Sequence, residues 1–281
     1  MDISLIELSK AAVLGIVEGV TEFLPISSTG HLIVAGDLLN FTGERAKTFE
    51  IFIQLGAILS VVWLFRQKIF PPRDVPAGSD FTEGWMTFWT KILVSFLPAA
   101  LVGLIFHSYI KDHLFTVYTV SLALIAGGIV MLGIEAYVNK VRAGSGKMSL
   151  SSVRFDDALW IGVSQVLALV PGVSRSGATI MGGLLQKLDR KTAAEYSFFL
   201  AIPTMLAATL FDLLKSRGSL HSSDALMLGV GFVFAFVSAM IAIKVFIKFI
   251  STHSFRGFAW YRIVLGVLLL VLFEMGKIGI A

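Results

Sequence analysis

The stretches Ile92–Ile110, Leu114–Ile134 and Ala225–Ile243 contain no Asp, Glu, Lys or Arg. Each has about the 20 residues with which an α-helix crosses the roughly 30 Å hydrocarbon core of a bilayer. Three more apolar runs, Ile51–Phe65, Tyr196–Phe211 and Ile263–Phe273, reach that length with their apolar neighbours. In lipid every backbone polar group must find its partner inside the protein, so runs of this kind fold as helices. Six spans are expected, over 49–66, 90–110, 114–138, 195–214, 225–247 and 258–276. Composition agrees, with 56% of the 281 residues hydrophobic and 15% charged, against about 25% charged in a soluble domain. A water-soluble or disordered chain is excluded. A net charge of +4 over this length is too thin for a nucleic-acid surface, and in a membrane protein such an excess sits in cytoplasmic loops. Membrane lipids are therefore the expected surroundings, with no nucleic-acid partner. The absence of cysteine removes disulfides, thiolate zinc sites and a cysteine nucleophile. Asp2, Glu7 and Lys10 interrupt the N-terminal apolar run, so a cleaved signal peptide is not expected.

Residues 4–40 and 156–187 fit neither spans nor aqueous loops, because Pro, Gly, Ser and charged residues break apolar stretches at their middles. Irregular backbone at membrane depth is tolerated only where protein or a water-filled cavity covers it. Two re-entrant helical hairpins are the reading. A shift of 147 positions aligns them: Ser27-Ser28-Thr29-Gly30 falls on Ser174-Arg175-Ser176-Gly177, and Phe49, Phe52 and Leu55 fall on Tyr196, Phe199 and Ile202. The chain thus reads as one integral membrane domain, 1–281, made of a repeat over about 1–140 and another over about 150–281. Lys and Arg concentrate in 66–91, 139–154, 187–191 and 244–262, while the alternate connections hold Arg45 and Lys47, Lys111, and Lys215 and Arg217. Placing the rich connections in the cytoplasm puts both termini outside and makes the repeats inverted, as in many transporter folds.

The chemistry-bearing residues lie in the two broken segments. Glu18 and Glu22 are four apart and share a helix face. Pro25 ends that helix, and Ser27-Ser28-Thr29-Gly30 leads into a second short helix over His31–Asn40. Pro171-Gly172 and Ser174-Arg175-Ser176-Gly177-Ala178-Thr179 repeat the plan. Free N–H groups and the dipole at a helix start attract anions, and the planar guanidinium of Arg175 is shaped to fork onto phosphate oxygens. A carboxylate inside an apolar segment marks function by default. Glu135, Asp212 and Glu274, near span ends, read as interfacial or structural.

The strings E-G-V-T-E-F-L-P-I-S-S-T-G-H (18–31) and P-G-V-S-R-S-G-A-T (171–179) closely resemble the two signatures of the bacterial undecaprenyl-pyrophosphate phosphatases, the bacitracin-resistance family. The segment from Lys47 to Gly56 resembles that family's third block, and the resemblance runs over essentially the whole chain. It implies dephosphorylation of undecaprenyl pyrophosphate in the bacterial inner membrane, recycling the lipid carrier of cell-wall synthesis. It also implies an active site facing the periplasm and dependence on a divalent cation. Carried onto this chain, the catalytic set is Glu22, Ser28, His31 and Arg175. Ser27, Thr29, Ser174, Ser176 and Thr179 join Arg175 in binding substrate.

The expected chemistry has Arg175 and the two helix starts holding the diphosphate while Ser28 attacks, with His31 as its base or as the later acid. Glu18 and Glu22 would hold Mg²⁺ or Ca²⁺, since hard cations take oxygen ligands. Attack by His31 itself, or by an activated water, is the alternative route. The alternative function is an inverted-repeat transporter or flippase of an anionic lipid or small anion. A homodimer is left open by the sequence.

Overall fold

The computed structural model describes residues 4–70, 80–141, 148–215 and 224–278. Arg73, Arg142, Lys147 and Arg217, counted above among the connection charges, lie outside them. Among the described residues the chain is all α-helical. Its first half holds α1 (Leu5–Thr21), α2 (Ser28–Leu38), α3 (Glu44–Leu64), the single turn α4 (Arg66–Ile69), α5 (Asp80–His113) and α6 (Val117–Val141). The second half holds α7 (Phe155–Val166), α8 (Arg175–Leu185), α9 (Arg190–Lys215), α10 (Ala225–Ile250) and α11 (Arg256–Glu274). Six of these, α3, α5, α6, α9, α10 and α11, are long and apolar enough to span a membrane. The protein is an all-α polytopic membrane protein, with its spans where the uncharged runs put them.

Ion pairs sort the helix ends into two groups. At one end Arg45, at the start of α3, meets Glu7 of α1 at 3.1 Å and Asp224, just before α10, at 2.7 Å. At the other end Lys68 meets Glu195 of α9 at 2.9 Å. There too Glu135 of α6, fully buried, takes two bonds from Arg190 at 2.9 and 2.6 Å and a third from the Phe255 N–H. Glu135 is therefore a structural clamp. It follows that α3 runs from the first end to the second and α9 the opposite way. In the same way α10 starts at the first end, whereas α5 starts at the second, where the Trp85 indole donates to the Ile69 carbonyl. Counterpart helices run in opposite senses.

Contacts repeat across the halves as well. The first helix of each half packs on the fourth principal helix of the other, α1 on α10 and α7 on α5. Both contacts use a glycine: a methyl at Gly15 would strike the Gly231 carbonyl, and one at Gly162 the Ser95 carbonyl. Gly15 and Gly162 are counterparts at the 147 shift. The backbone agrees in detail. Ser27 and Ser174 have φ of 69° and 72°, and Asn40 and Lys187 have 48° and 66°. These are left-handed conformations rare for non-glycine residues.

Helices α2 and α8 have 11 residues each, about 16 Å of rise, too short to cross a bilayer. The α1–α2 pair returns to the end at which it began, where Lys10 of α1 meets the Asn40 carbonyl at 3.5 Å. The α7–α8 pair starts at the opposite end, with Lys91 over the Phe155 ring, and returns there to feed α9. Both turns consequently lie inside the bundle.

One expectation is corrected. Arg262 was counted as a connection charge at the start of the last span, yet it is 1% exposed, held among the helices by three carbonyls. It contributes nothing to the charge asymmetry of the loops.

The end assignment predicts sidedness. Single cysteines at Asp112, after α5's apolar run, and at Met148, before α7, are both exposed. In sealed vesicles an impermeant thiol reagent should reach the two from opposite faces; labelling of both from one face would contradict the bundle's end sorting.

Candidate active site

Helix α1 stops at Thr21, and Glu22 caps it, its N–H bonded to the Glu18 carbonyl at 2.9 Å. Pro25 prevents continuation, and the turn delivers Ser27 in the left-handed region. Helix α2 then starts at Ser28, three residues earlier than the proline and serine pattern suggested, because Ser28 and Thr29 already have helical backbone. Ser27 stands at the cap but makes no capping bond with its side chain, which leaves first-turn N–H groups of α2 available to an anion. Its counterpart Ser174 does cap, accepting from the Gly177 N–H at 3.1 Å. The two halves have diverged at this point.

Three sequence-predicted residues come together across the turns. The Ser28 hydroxyl donates to Glu22 Oε2 at 2.6 Å. Arg175 Nη2 donates to Glu22 Oε1 at 3.0 Å, with the two side chains 11% and 9% exposed. Arg175 lies 5.6 Å over the Phe23 ring and gives Nη1 to the Ser197 carbonyl at 3.1 Å. Removing one member of a buried pair of this kind costs about 3–5 kcal/mol, since it strands the other charge. Arg175 Nε is buried with no partner among the described residues, so the guanidinium keeps donor capacity for a ligand.

Glu18 lies one turn earlier in α1, fully buried, and neither of its carboxyl oxygens has a hydrogen-bond partner among the described residues. A buried carboxyl with both oxygens unused fits a cation ligand. Both Glu22 oxygens are already engaged, and the described residues hold no group of three His, Asp or Glu side chains that could hold a metal alone. Any cation held here must complete its shell from substrate oxygens and water.

The remaining predicted residues take other positions. His31 is not bonded to Ser28. Its Nδ1 faces the Ser27 carbonyl at 2.7 Å and its Nε2 faces the Tyr261 hydroxyl at 2.7 Å. A carbonyl only accepts, so Nδ1 carries the proton, and in the neutral ring Nε2 accepts from Tyr261. The expected serine–histidine pair is replaced by a serine–glutamate pair, because α2's early start turns the ring toward α11. Ser176, fully buried, donates to the Leu24 carbonyl at 2.8 Å and pairs with Ser174 Oγ at 3.0 Å, tying one turn to the other. Thr179, 1% exposed, pairs with the Ser197 hydroxyl at 2.6 Å beneath Arg175. In this structure those hydroxyls bond within the protein. Thr29, second in α2, is half-buried.

Sequence reasoning missed Tyr261, Arg262 and Ser197. Arg262 had a signal, a guanidinium inside a predicted span. Tyr261 and Ser197 had none, since a tyrosine at a span end and a serine within one are ordinary. A hydroxyl on a carboxylate, a forked cation and open helix amides together suit attack by serine on an anionic, phosphorylated substrate.

Comparison with known proteins agrees over nearly the full chain. A model of the family described as bacitracin resistance protein BacA matches residues 11–268. An undecaprenyl-diphosphatase of Methylobacillus flagellatus is 50% identical over 271 residues, 96% of this chain and 98% of that protein. One from Dechloromonas aromatica is 49% identical over 269 residues, covering 96% of each. The undecaprenyl-diphosphatase 1 of Pseudomonas fluorescens is 50% identical over 267 residues, 95% of this chain and 94% of its own.

The His31 geometry is directly measurable. In ¹⁵N-histidine-labelled protein near neutral pH, His31 should show a protonated Nδ1 and an accepting Nε2. Tyr261→Phe removes the donor and should shift the Nε2 resonance while leaving Nδ1 protonated; an unchanged Nε2 signal would dissolve the pairing.

Proposed function

The chain belongs to the bacitracin resistance protein BacA family, and from that membership we infer its reaction: it hydrolyses undecaprenyl diphosphate to undecaprenyl phosphate and inorganic phosphate, returning the cell-wall lipid carrier to use. The carrying observation is that Ser28, Glu22 and Arg175 meet across the two turns in a chain about 50% identical to undecaprenyl-diphosphatases end to end. Those names favour hydrolysis over the transporter reading.

The mechanism follows from the contacts. Free amides at the start of α2 and the guanidinium of Arg175 bind the terminal phosphate and offset its charge, which is most of what phosphoryl transfer requires. Ser28 Oγ bonds to the terminal phosphorus as Glu22 takes the hydroxyl proton. The bond from that phosphorus to the bridging oxygen breaks, and undecaprenyl phosphate leaves. Glu22 passes the proton it took to the departing lipid phosphate. It then accepts a proton from the water that attacks the phosphoseryl phosphorus, the P–Oγ bond breaks, Ser28 Oγ takes that proton from Glu22, and inorganic phosphate departs. With both ring nitrogens engaged, His31 shapes the turn from Ser27 to α2 and leaves attack to Ser28. A divalent cation, Mg²⁺ or Ca²⁺, would be held by Glu18, whose two oxygens are unpartnered among the described residues, with substrate oxygens and water rather than the engaged Glu22, and would neutralise charge on the diphosphate.

The poorly charged end of the bundle is the outer one by the positive-inside rule. With α1 and α2 entering from that end as a re-entrant hairpin, the site opens to the periplasm of the inner membrane. Labelling Met148→Cys from outside intact cells would contradict this orientation.

Ser28→Ala should lower kcat about 100-fold or more, as for loss of an essential positioned group, with a smaller change in KM. Ser28→Ala with kcat near that of the unaltered protein would pass the attack to water. Glu18→Gln should raise the Mg²⁺ or Ca²⁺ concentration needed for half-maximal phosphate release by about tenfold, the loss typical on disturbing a metal site. An unchanged cation requirement would remove Glu18 from that role.

A further inference from the structure

Arg262 is the largest fully buried side chain of the described residues, and the chemistry above does not use it. Burying a guanidinium is costly unless its donors are satisfied. Among the described residues no carboxylate is bonded to it. Its two Nη groups donate to three backbone carbonyls on three separate pieces of chain, while Nε is buried with no partner among the described residues. Nη1 reaches Pro25 in the first turn at 3.4 Å. Nη2 reaches Gly172 in the second turn at 3.1 Å and Ala123 of α6 at 3.3 Å.

The space it occupies is kept open by glycines on two facing helices. A methyl at Gly127 of α6 would overlap Nη2, and one at Gly177 of α8 would come within 2.8 Å of Nη1. Turn carbonyls lack the helical N–H partner that a continuous span would give them, and the planar fork of one guanidinium can serve several at once. Lysine's ammonium has three donors but gathers them at one nitrogen, without that planar spread.

We propose that Arg262 is a positioning residue that sets the register of the two hairpin turns, and through it the placement of Ser28 and Glu22 against Arg175. The consequence for turnover rests on the hydrolytic reading of the site. Glu22 and Ser28 flank the Pro25 turn and Arg175 comes just after the Gly172 turn, so a guanidinium bonded to both carbonyls controls how the halves of the site face one another. Displacements of about 1 Å at a reacting centre can cost on the order of 100-fold in rate.

Two variants perturb the clamp independently. Arg262→Lys keeps the charge and loses the fork. Gly127→Ala keeps Arg262 but pushes its guanidinium aside, at a helical site where alanine is otherwise favoured over glycine. Each is made in the cysteine-free chain with spin labels at Leu38→Cys of α2 and Leu185→Cys of α8, both exposed. A control pair sits at Leu59→Cys of α3 and Val233→Cys of α10. Pulsed electron–electron distance measurement should give a broadened or shifted α2–α8 distribution in both variants and an unchanged control pair. Phosphate release from a polyprenyl diphosphate, referred to the folded, monodisperse fraction of each variant, should fall about tenfold or more in kcat with KM moving less than about threefold. Referring the rate to folded protein removes the contribution of lost folding. An unchanged α2–α8 distribution in either folded variant, or kcat within about twofold of the unaltered protein, overturns the proposal. Failure of both variants to fold also overturns it, assigning Arg262 to global stability. The label distances do not depend on turnover, so absence of hydrolysis in the unaltered protein would refute the proposed function alone.

Discussion

A helix that breaks inside an apolar slab must find protein partners for the backbone groups it frees, because lipid offers none. This chain breaks twice, around Pro25 and around Pro171-Gly172, and the two breaks are turned toward each other. Ser176 takes the Leu24 carbonyl, Arg262 takes those of Pro25 and Gly172, and Arg175 meets Glu22. What would be an unsatisfied defect in each half becomes a shared polar interior.

The two broken segments match at a shift of 147 positions, and the residues at matched positions differ. Equivalent positions carry different chemistry: Ser28 corresponds to Arg175, Glu18 to Gln165, Glu22 to Leu169. Gln165 is buried like Glu18, and its carbonyl oxygen takes a bond from Thr204. One hairpin has kept hydroxyl and carboxylates, the other a guanidinium and neutral groups. A symmetric pair would have set two like charges facing each other in low dielectric, at a cost the opposite pair avoids. The backbone has diverged far less, as the left-handed serines at 27 and 174 record. Strain in a non-glycine residue of this kind, of order 1–3 kcal/mol, persists where the surroundings over-determine it.

Much of this was legible in the residue order. Uncharged runs near 20 residues long are spans because bilayer thickness admits no other reading. The 147-position shift and the alternation of Lys and Arg implied inverted repeats, and α3 with α9 run oppositely as that required. Glu22, Ser28 and Arg175 stood out because polar groups in apolar segments are expensive.

Partnership is what the order could not carry. Spacing placed His31 one turn after Ser28 and invited a hydrogen bond, but the bond went to Glu22 because α2 begins at Ser28 and the imidazole faces Tyr261, 230 residues away. Arg262 looked like a loop charge because a sequence shows a residue's neighbours along the chain, not the carbonyls left free by two distant turns. Local periodicity and solvent transfer are one-dimensional properties, so sequence alone determined which segments enter the membrane and which residues are too costly there to be idle. The direction of each donor depends on helix start points and on packing between segments far apart in the chain, and only the tertiary structure decided those.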